Sequence, residues 1–265
     1  MPSVSTGKNT IKTIKFYKDH VTLTFVKREK IQISKEAFVS TYLYEGKKVS
    51  EKEIKDLIEL TATTKLLTYA LSLVSKRHYS QRKMYEKLIA KEDNPHAAMI
   101  VIDKLKENDL LDDKAYMMDL ISWDNERLFG QNKIVKHLRD QGIPESLISK
   151  ASFSQNNERK KAQALVIKLD RKYTRYAYEI KKQHVYQALL SQGYNPEIAR
   201  SVLDGVKKDK PKAEKEKLYN DFVKIKRRLE KKYEGYELNK KIYAALAAKG
   251  YKYAEIKSIM EDMDI

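Results

Sequence analysis

The residues able to do chemistry are scattered in a way that argues against catalysis. The five histidines, His20, His78, His96, His137 and His184, include no pair at a metal-ligand spacing such as i, i+4. The absence of cysteine removes thiolate nucleophiles, thiolate metal sites and disulfides, and fits a reducing, cytoplasmic setting. Gly46-Lys47-Lys48-Val49-Ser50 lacks the upstream glycine of a phosphate-binding loop and reads as a turn before a helix. Asp112-Asp113 could hold a metal, but adjacent carboxylates opening a helix more often cap it. No nucleophile elbow or dinucleotide fingerprint is present. The expectation is a non-enzyme without metal or cofactor.

Charge is the chemistry that remains. The chain of 265 residues carries a formal net charge of +17, distributed as +4 over 1–60, +2 over 61–150 and +11 over 151–265. Such a field draws in a polyanion over roughly 8–10 Å at physiological salt. Residues 158–184 hold nine Lys/Arg against three acids, including Arg171, Lys172, Arg175, Lys181 and Lys182. Residues 207–232 hold twelve against five, and Lys224, Arg227, Arg228 and Lys231 are spaced to share one helical face. Lys133, Lys136 and Arg139, joined by Arg82 and Lys83, form a possible further strip. These fourteen residues are the candidate nucleic-acid or filament contacts, the alternative being a solvated lysine-rich surface. Among the tyrosines, Tyr173, Tyr176 and Tyr178 lie within basic sequence and could stack on unpaired bases or serve as packing. Tyr186 and Tyr243 are expected in the core, and Trp123 is expected to be buried between modules.

The elements that must carry these residues are mostly helices. Only residues 11–33 alternate with period two, predicting a β-hairpin of two or three strands, covered by helices at about 35–43 and 51–60. Ser50 and Glu53 form a capping-box pattern at the second of these. No apolar run approaches the roughly 20 residues of a bilayer span, and no secretory signal opens the chain.

From about residue 62 a helical pattern repeats. Leu88, Leu138, Leu189 and Leu246 end similar sextets, separated by 50, 51 and 57 residues. Four residues later stand Glu92, Gly142, Gly193 and Gly250, where glycine suits a left-handed helix end. Pro95, Pro144 and Pro196 then start the next helix in three of the four units. Four three-helix modules follow, at 61–112, 113–157, 158–206 and 207–265 after an N-terminal region of 1–60. Units this small should stack on their neighbours, giving an elongated, curved helical array. Ser152–Asn157 and Gly205–Lys217 are the expected breaks, and long helices are expected over Lys168–Lys182 and Leu218–Lys232.

Arg77-His78-Tyr79-Ser80 and Leu110-Leu111-Asp112-Asp113-Lys114-Ala115-Tyr116, followed by Gly130, Ile134, Leu138 and Gly142-Ile143, resemble the RecX family of recombination regulators. The resemblance covers about 62–265, and the β-containing extension looks like the longer Gram-positive members. Lys83, Glu92 and Met117 depart from the family's usual residues. What the resemblance implies is a monomeric regulator that binds RecA filaments on single-stranded DNA. It would lie in the filament groove and inhibit ATPase and strand exchange, so modulating DNA repair and the SOS response. Direct DNA contact, weak and not sequence-specific, is also implied, and no membrane is. The alternative is a stand-alone DNA-binding protein of helix-turn-helix-like modules.

Overall fold

The computed structural model describes residues 9–263, which are mainly helical with one small sheet. Strands β1 (Ile11–Phe16), β2 (Val21–Phe25) and β3 (Ile31–Ile33) form an antiparallel meander in the order β1-β2-β3, with Phe16 opposite Val21 and Val21 opposite Ile33. Val21, Leu23, Phe25 and Ile33 face a core completed by Ala37 of α1 (Lys35–Ser40) and by Ile54 and Leu57 of α2 (Glu51–Val74).

Both covering helices differ from the sequence expectation. Helix α1 stops at Ser40, because the chain beyond it turns back to extend the sheet edge: Gly46 N–H donates to the Ile11 carbonyl and Val49 N–H to that of Asn9. Helix α2 does not stop near residue 60. It contains no Gly or Pro, and it starts from the expected capping box of Ser50 and Glu53. Over 24 residues its apolar side chains serve two cores in turn, Ile54 and Leu57 the first and Ala62, Leu66 and Ala70 the second. By length and composition it is long and apolar enough to cross a membrane, against the expectation of no such segment; a third of its most apolar stretch is buried inside the protein.

Nine of the described helices pack in three cores of three. Helix α2 packs with α3 (Gln81–Lys91) and α4 (Pro95–Glu107). Next come α5 (Asp113–Glu126), α6 (Gln131–Asp140) and the short α7 (Glu145–Ile148). Helices α8 (Gln155–Lys172), α9 (Tyr178–Ser191) and α10 (Pro196–Ser201) share one core, and α11 (Pro211–Leu229), α12 (Gly235–Ala248) and α13 (Tyr253–Asp262) another. Leu88, Leu138, Leu189 and Leu246 are all fully buried, each on the second helix of its group. By compactness the chain forms two units. One runs up to Met118 and adds Arg139–Leu147; the other comprises Asp119–Leu138 and everything from Ile148 onward.

Several local expectations are corrected. Lys168–Lys182 is not one helix: α8 ends at Lys172, Thr174 Oγ1 donates back to the Asp170 carbonyl, and Tyr173–Ala177 turn the chain before α9. The expected break at Gly205–Lys217 is half as long, because Pro211 occupies the first turn of α11, where its missing N–H costs nothing. That helix ends at Leu229 rather than reaching Lys232. Trp123 is 59% exposed, because Met117, Leu120 and Asp124 carry the buried side of α5. Tyr186 and Tyr243 are partly buried against their cores.

Two devices recur within the second unit, and each fixes the start of a second helix. In the first, a buried Glu-x-x-Lys pair opens α8 (Glu158, Lys161), and a similar pair opens α11 (Glu214, Lys217). Lys161 Nζ donates to the Phe129 carbonyl (2.7 Å) and Glu158 accepts from Gln131 N–H (2.9 Å), clamping the turn before α6. Lys217 reaches the Tyr176 carbonyl two residues before α9 in the same way (3.4 Å). In the second device, the glycine ending each second helix lies against the preceding group. Gly193, at φ +87°, would place an added Cβ 2.4 Å from the Lys133 backbone nitrogen, and Gly250 would place one 2.3 Å from an Ile180 side-chain carbon. Left-handed strain of about 1–2 kcal/mol and overpacking of about 1–3 kcal/mol together make Gly193→Ala costly, by roughly 2–5 kcal/mol. Gly250→Ala should be milder, since an isoleucine side chain can move where a backbone cannot. Thermal denaturation of the two variants checks the order.

In the first unit Asp112 and Asp113 divide the capping between two helices. Asp112 Oδ1 accepts from the N–H groups of Lys114 and Ala115 at the head of its own helix. Asp113 instead accepts from Gln81 N–H (2.8 Å) at the head of α3, and its burial pushes the carboxyl above the usual aspartate range despite that bond. The folded state then holds this proton more readily than the unfolded chain, so the group's contribution to stability falls as pH rises through the carboxylate range and levels off above it. Asp113→Asn keeps an acceptor for Gln81 without the buried charge. Its expected result is a higher melting temperature at pH 7 and a shallower pH dependence of stability between pH 4 and 7.

Candidate nucleic-acid interface

The turn between α8 and α9 gathers aromatic rings and cations. The His184 ring packs against two tyrosines that also touch one another (6.1 Å between centroids), stacked on Tyr173 (5.3 Å) and tilted against Tyr176 (4.5 Å). Lys172 sits over Tyr173 (5.4 Å) and Arg175 over Tyr176 (4.9 Å), and the Arg175 guanidinium also donates to the Tyr176 hydroxyl (2.9 Å). Arg175, Tyr176 and His184 of this cluster line one wall of a cleft of about 910 Å³, whose other wall is α11 and the end of α12, with Lys217, Lys224 and Lys249. Asp221 is the one acid among the residues lining the cleft; it accepts from Lys249 Nζ (2.7 Å) and from the Tyr251 hydroxyl (2.9 Å). Burial pushes the Tyr251 hydroxyl far up, with the Asp221 bond adding to it, so the phenol stays a neutral donor. Lys217 is held by Asp209, whose carboxyl falls below its usual range because Lys217 outweighs the effect of burial. The cations left open to a ligand are therefore Arg175 and Lys224.

The other candidates divide by whether their charge is already matched. Arg171 ends α8 exposed, with no acidic partner among the described residues, and Arg227 and Arg228 continue α11 beyond Lys224 in the same state. Lys231 is also exposed but lies past the end of α11, so it shares a surface neighbourhood rather than a helical face. Lys182 is half-buried over the Tyr178 ring (5.6 Å). Lys181 is different: it is 1% exposed, pairs with Asp170 at 2.6 Å and donates to the Lys207 carbonyl (3.0 Å). Its ammonium cannot reach a phosphate.

The proposed strip around α6 is mostly neutralised. Arg82 and Lys83 both pair with Glu86 (3.1 and 2.9 Å), and the Arg82 stem packs on Gly142. Arg139 grips Glu145 with two bonds (3.0 and 2.7 Å), which hold the Glu145 carboxyl below its usual range. Lys133 donates to Gln192 Oε1 (2.9 Å) over the Phe129 ring (3.8 Å), leaving Lys136 as the unpaired cation of that helix.

Sequence reasoning missed Lys249, His184 and a recurring aromatic. Two residues before each second helix stand Tyr79, Phe129, Tyr176 and Tyr233, each beneath a cation: Arg77 at 4.5 Å, Lys133 at 3.8 Å, Arg175 at 4.9 Å and Lys241 at 5.6 Å. Counting back from the leucine anchors hides the pattern. The offset is 9 residues in the first two groups and 13 in the last two, because α9 and α12 start a turn earlier.

Comparison with known proteins is decisive at this point. The chain is 27% identical over 249 residues to regulatory protein RecX of Lactococcus lactis subsp. cremoris (strain SK11), covering 91% of this chain and 93% of the relative. With regulatory protein RecX of Streptococcus gordonii it shares 24% over 241 residues, covering 88% and 92%. The chain is a homologue of the RecX regulatory proteins. A crystal structure of regulatory protein RecX superposes with a TM-score of 0.57 at 23% identity, covering 74% of this chain and 98% of that one. The crystal structure of RecX from Lactobacillus salivarius gives 0.50 at 22%, covering 55% and 96%. No family model matches the chain. The alignment with the Lactococcus relative spans 91% of this chain, more than the helical groups from residue 61 onward could supply, so the likeness to RecX does not rest on the repeats alone.

Proposed function

We propose that this chain binds RecA filaments on single-stranded DNA and restrains their ATPase and strand exchange, and through them DNA repair and the SOS response. The observation that carries the reading is the cleft of the second unit, where Arg175 and Lys224 stand without an acidic partner beside the Tyr173–His184–Tyr176 stack. Unneutralised cations gain most from a phosphate chain, and phosphate contacts carry no sequence information, so the site favours nucleic acid without reading its sequence. Homology to proteins named for regulation supports a regulatory rather than a catalytic outcome.

The deciding experiment is the ATPase rate of RecA on single-stranded DNA, titrated with this protein well below stoichiometry. Inhibition that persists in excess free DNA is the expected result. Tight, salt-sensitive DNA binding with no effect on RecA would favour the stand-alone DNA-binding protein.

A further inference from the structure

The N-terminal sheet carries a feature that the cleft does not explain. Val39 and Tyr42 are 82% and 85% exposed, and Phe16, Tyr17 and Tyr44 are each about half exposed or more. They are gathered rather than scattered. Phe16, ending β1, packs edge-on against Phe38 of α1 (5.0 Å), the neighbour of Val39. Tyr42 and Tyr44 contact one another (5.7 Å), and Glu45 beside them accepts from the Ile14 N–H of β1 (3.0 Å). Tyr17 stacks on His20 (4.7 Å) in the β1–β2 turn, close enough to α1 for Lys35 to act on Asp19. Exposed aromatic residues brought together on one small sheet mark a binding surface.

The charges around this face select the partner. Residues 9–50 hold nine Lys/Arg against four acids. Two of the acids are engaged within the protein, Asp19 with His20 (2.8 Å) and Glu45 with the sheet edge. Lys15, Lys18 and Lys35 are exposed and make no ion pair among the described residues. Exposed tyrosine rings on a sheet that also carries free lysines suit unpaired bases on a phosphate chain, whereas the rings of a duplex would be closed to them. A basic or neutral protein partner would leave those lysines unmatched. We propose that this aromatic–lysine face is a second site, separate from the cleft, that takes single-stranded nucleic acid by base stacking on Tyr42 and Tyr44.

This site is independent of the RecA reading and can be tested without RecA. In the full chain, Tyr42→Ala with Tyr44→Ala removes two exposed rings whose side chains contact one another, so circular dichroism should not change. Affinity for a dT oligomer is expected to fall tenfold or more, at the usual worth of base–aromatic stacking. Affinity for a duplex of equal length should stay within twofold, and Tyr42→Phe with Tyr44→Phe should restore the oligomer affinity. Photocrosslinking of a 5-iodouracil oligomer should map to the peptide containing Tyr42 and Tyr44. Unchanged oligomer affinity in the alanine variant, with crosslinks mapping elsewhere, would overturn the proposal. Unchanged oligomer affinity with lost RecA inhibition would also overturn it, assigning the face to a protein. Repeating the alanine pair in an Arg175→Glu, Lys224→Glu background separates the sites: a further loss of residual oligomer binding is expected there, whatever RecA does.

Discussion

Lys181→Ala is expected to destabilise the second unit by about 3 kcal/mol while leaving nucleic-acid affinity unchanged, although composition places this lysine inside a binding cluster. The side chain is buried on α9, its ammonium 2.6 Å from Asp170 on α8 and 3.0 Å from the Lys207 carbonyl after the 3-10 turn Leu203–Gly205. It ties three segments of one core together. Removing one member of a buried pair strands the other, which generally costs about 3–5 kcal/mol. The lower end applies here because Asp170 keeps some exposure and the Lys207 N–H (3.1 Å). Pairing Lys181→Met with Asp170→Leu removes both charges and should recover most of the loss, so a double-mutant cycle in urea gives a coupling energy of more than 1 kcal/mol. Lys182→Ala, one residue along and half-exposed, should change stability by less than about 0.5 kcal/mol. If Lys181→Ala kept full stability and lost oligomer affinity instead, the buried pair would not be the lysine's main role.

What the sequence made legible is whatever one chain segment decides by itself. The leucine anchors, Gly142, Gly193 and Gly250 at positive φ, and Pro95 and Pro196 at helix starts need only a periodic pattern and a backbone preference, and all stand in the structure as expected. The strand alternation of Val21, Leu23 and Phe25 was legible for the same reason. Errors arose where distant segments decide. A lysine's burial at position 181 depends on an aspartate 11 residues away on another helix. The turn at Tyr173–Ala177 contains neither Gly nor Pro, and Lys217 reaches into it from the next group. The type of Trp123 points to the interior, but the buried side of α5 is already filled by Met117, Leu120 and Asp124. The cleft was half legible. Clustering in the sequence puts Arg175 and Lys224 in two separate basic stretches; the structure sets both on one cleft, and clustering cannot show which charges are already paired.

That distinction gives the charge-reversal experiment its sharpest form. Arg175→Glu with Lys224→Glu places two carboxylates in the cleft beside Asp221, converting its unpaired positive charge to negative. Each lost phosphate contact removes a counterion-release contribution, and each new carboxylate repels the phosphate chain, so binding to the filament's nucleic acid should weaken at least a hundredfold near 0.15 M salt. Extending the change to Arg227 and Arg228 should deepen the loss, because they continue the same unpaired stretch of α11. The matched control reverses Arg82 and Arg139, equally basic by sequence but already bound to Glu86 and Glu145, and should cost less than tenfold. Inhibition of the RecA ATPase should follow the same order, with circular dichroism constant throughout because all the altered side chains are exposed. Equal losses for the two sets would mean that the protein is read by its overall charge, and the cleft would lose its special standing. A loss confined to the cleft set would tie inhibition to Arg175 and Lys224, where unpaired cations meet the stacked rings.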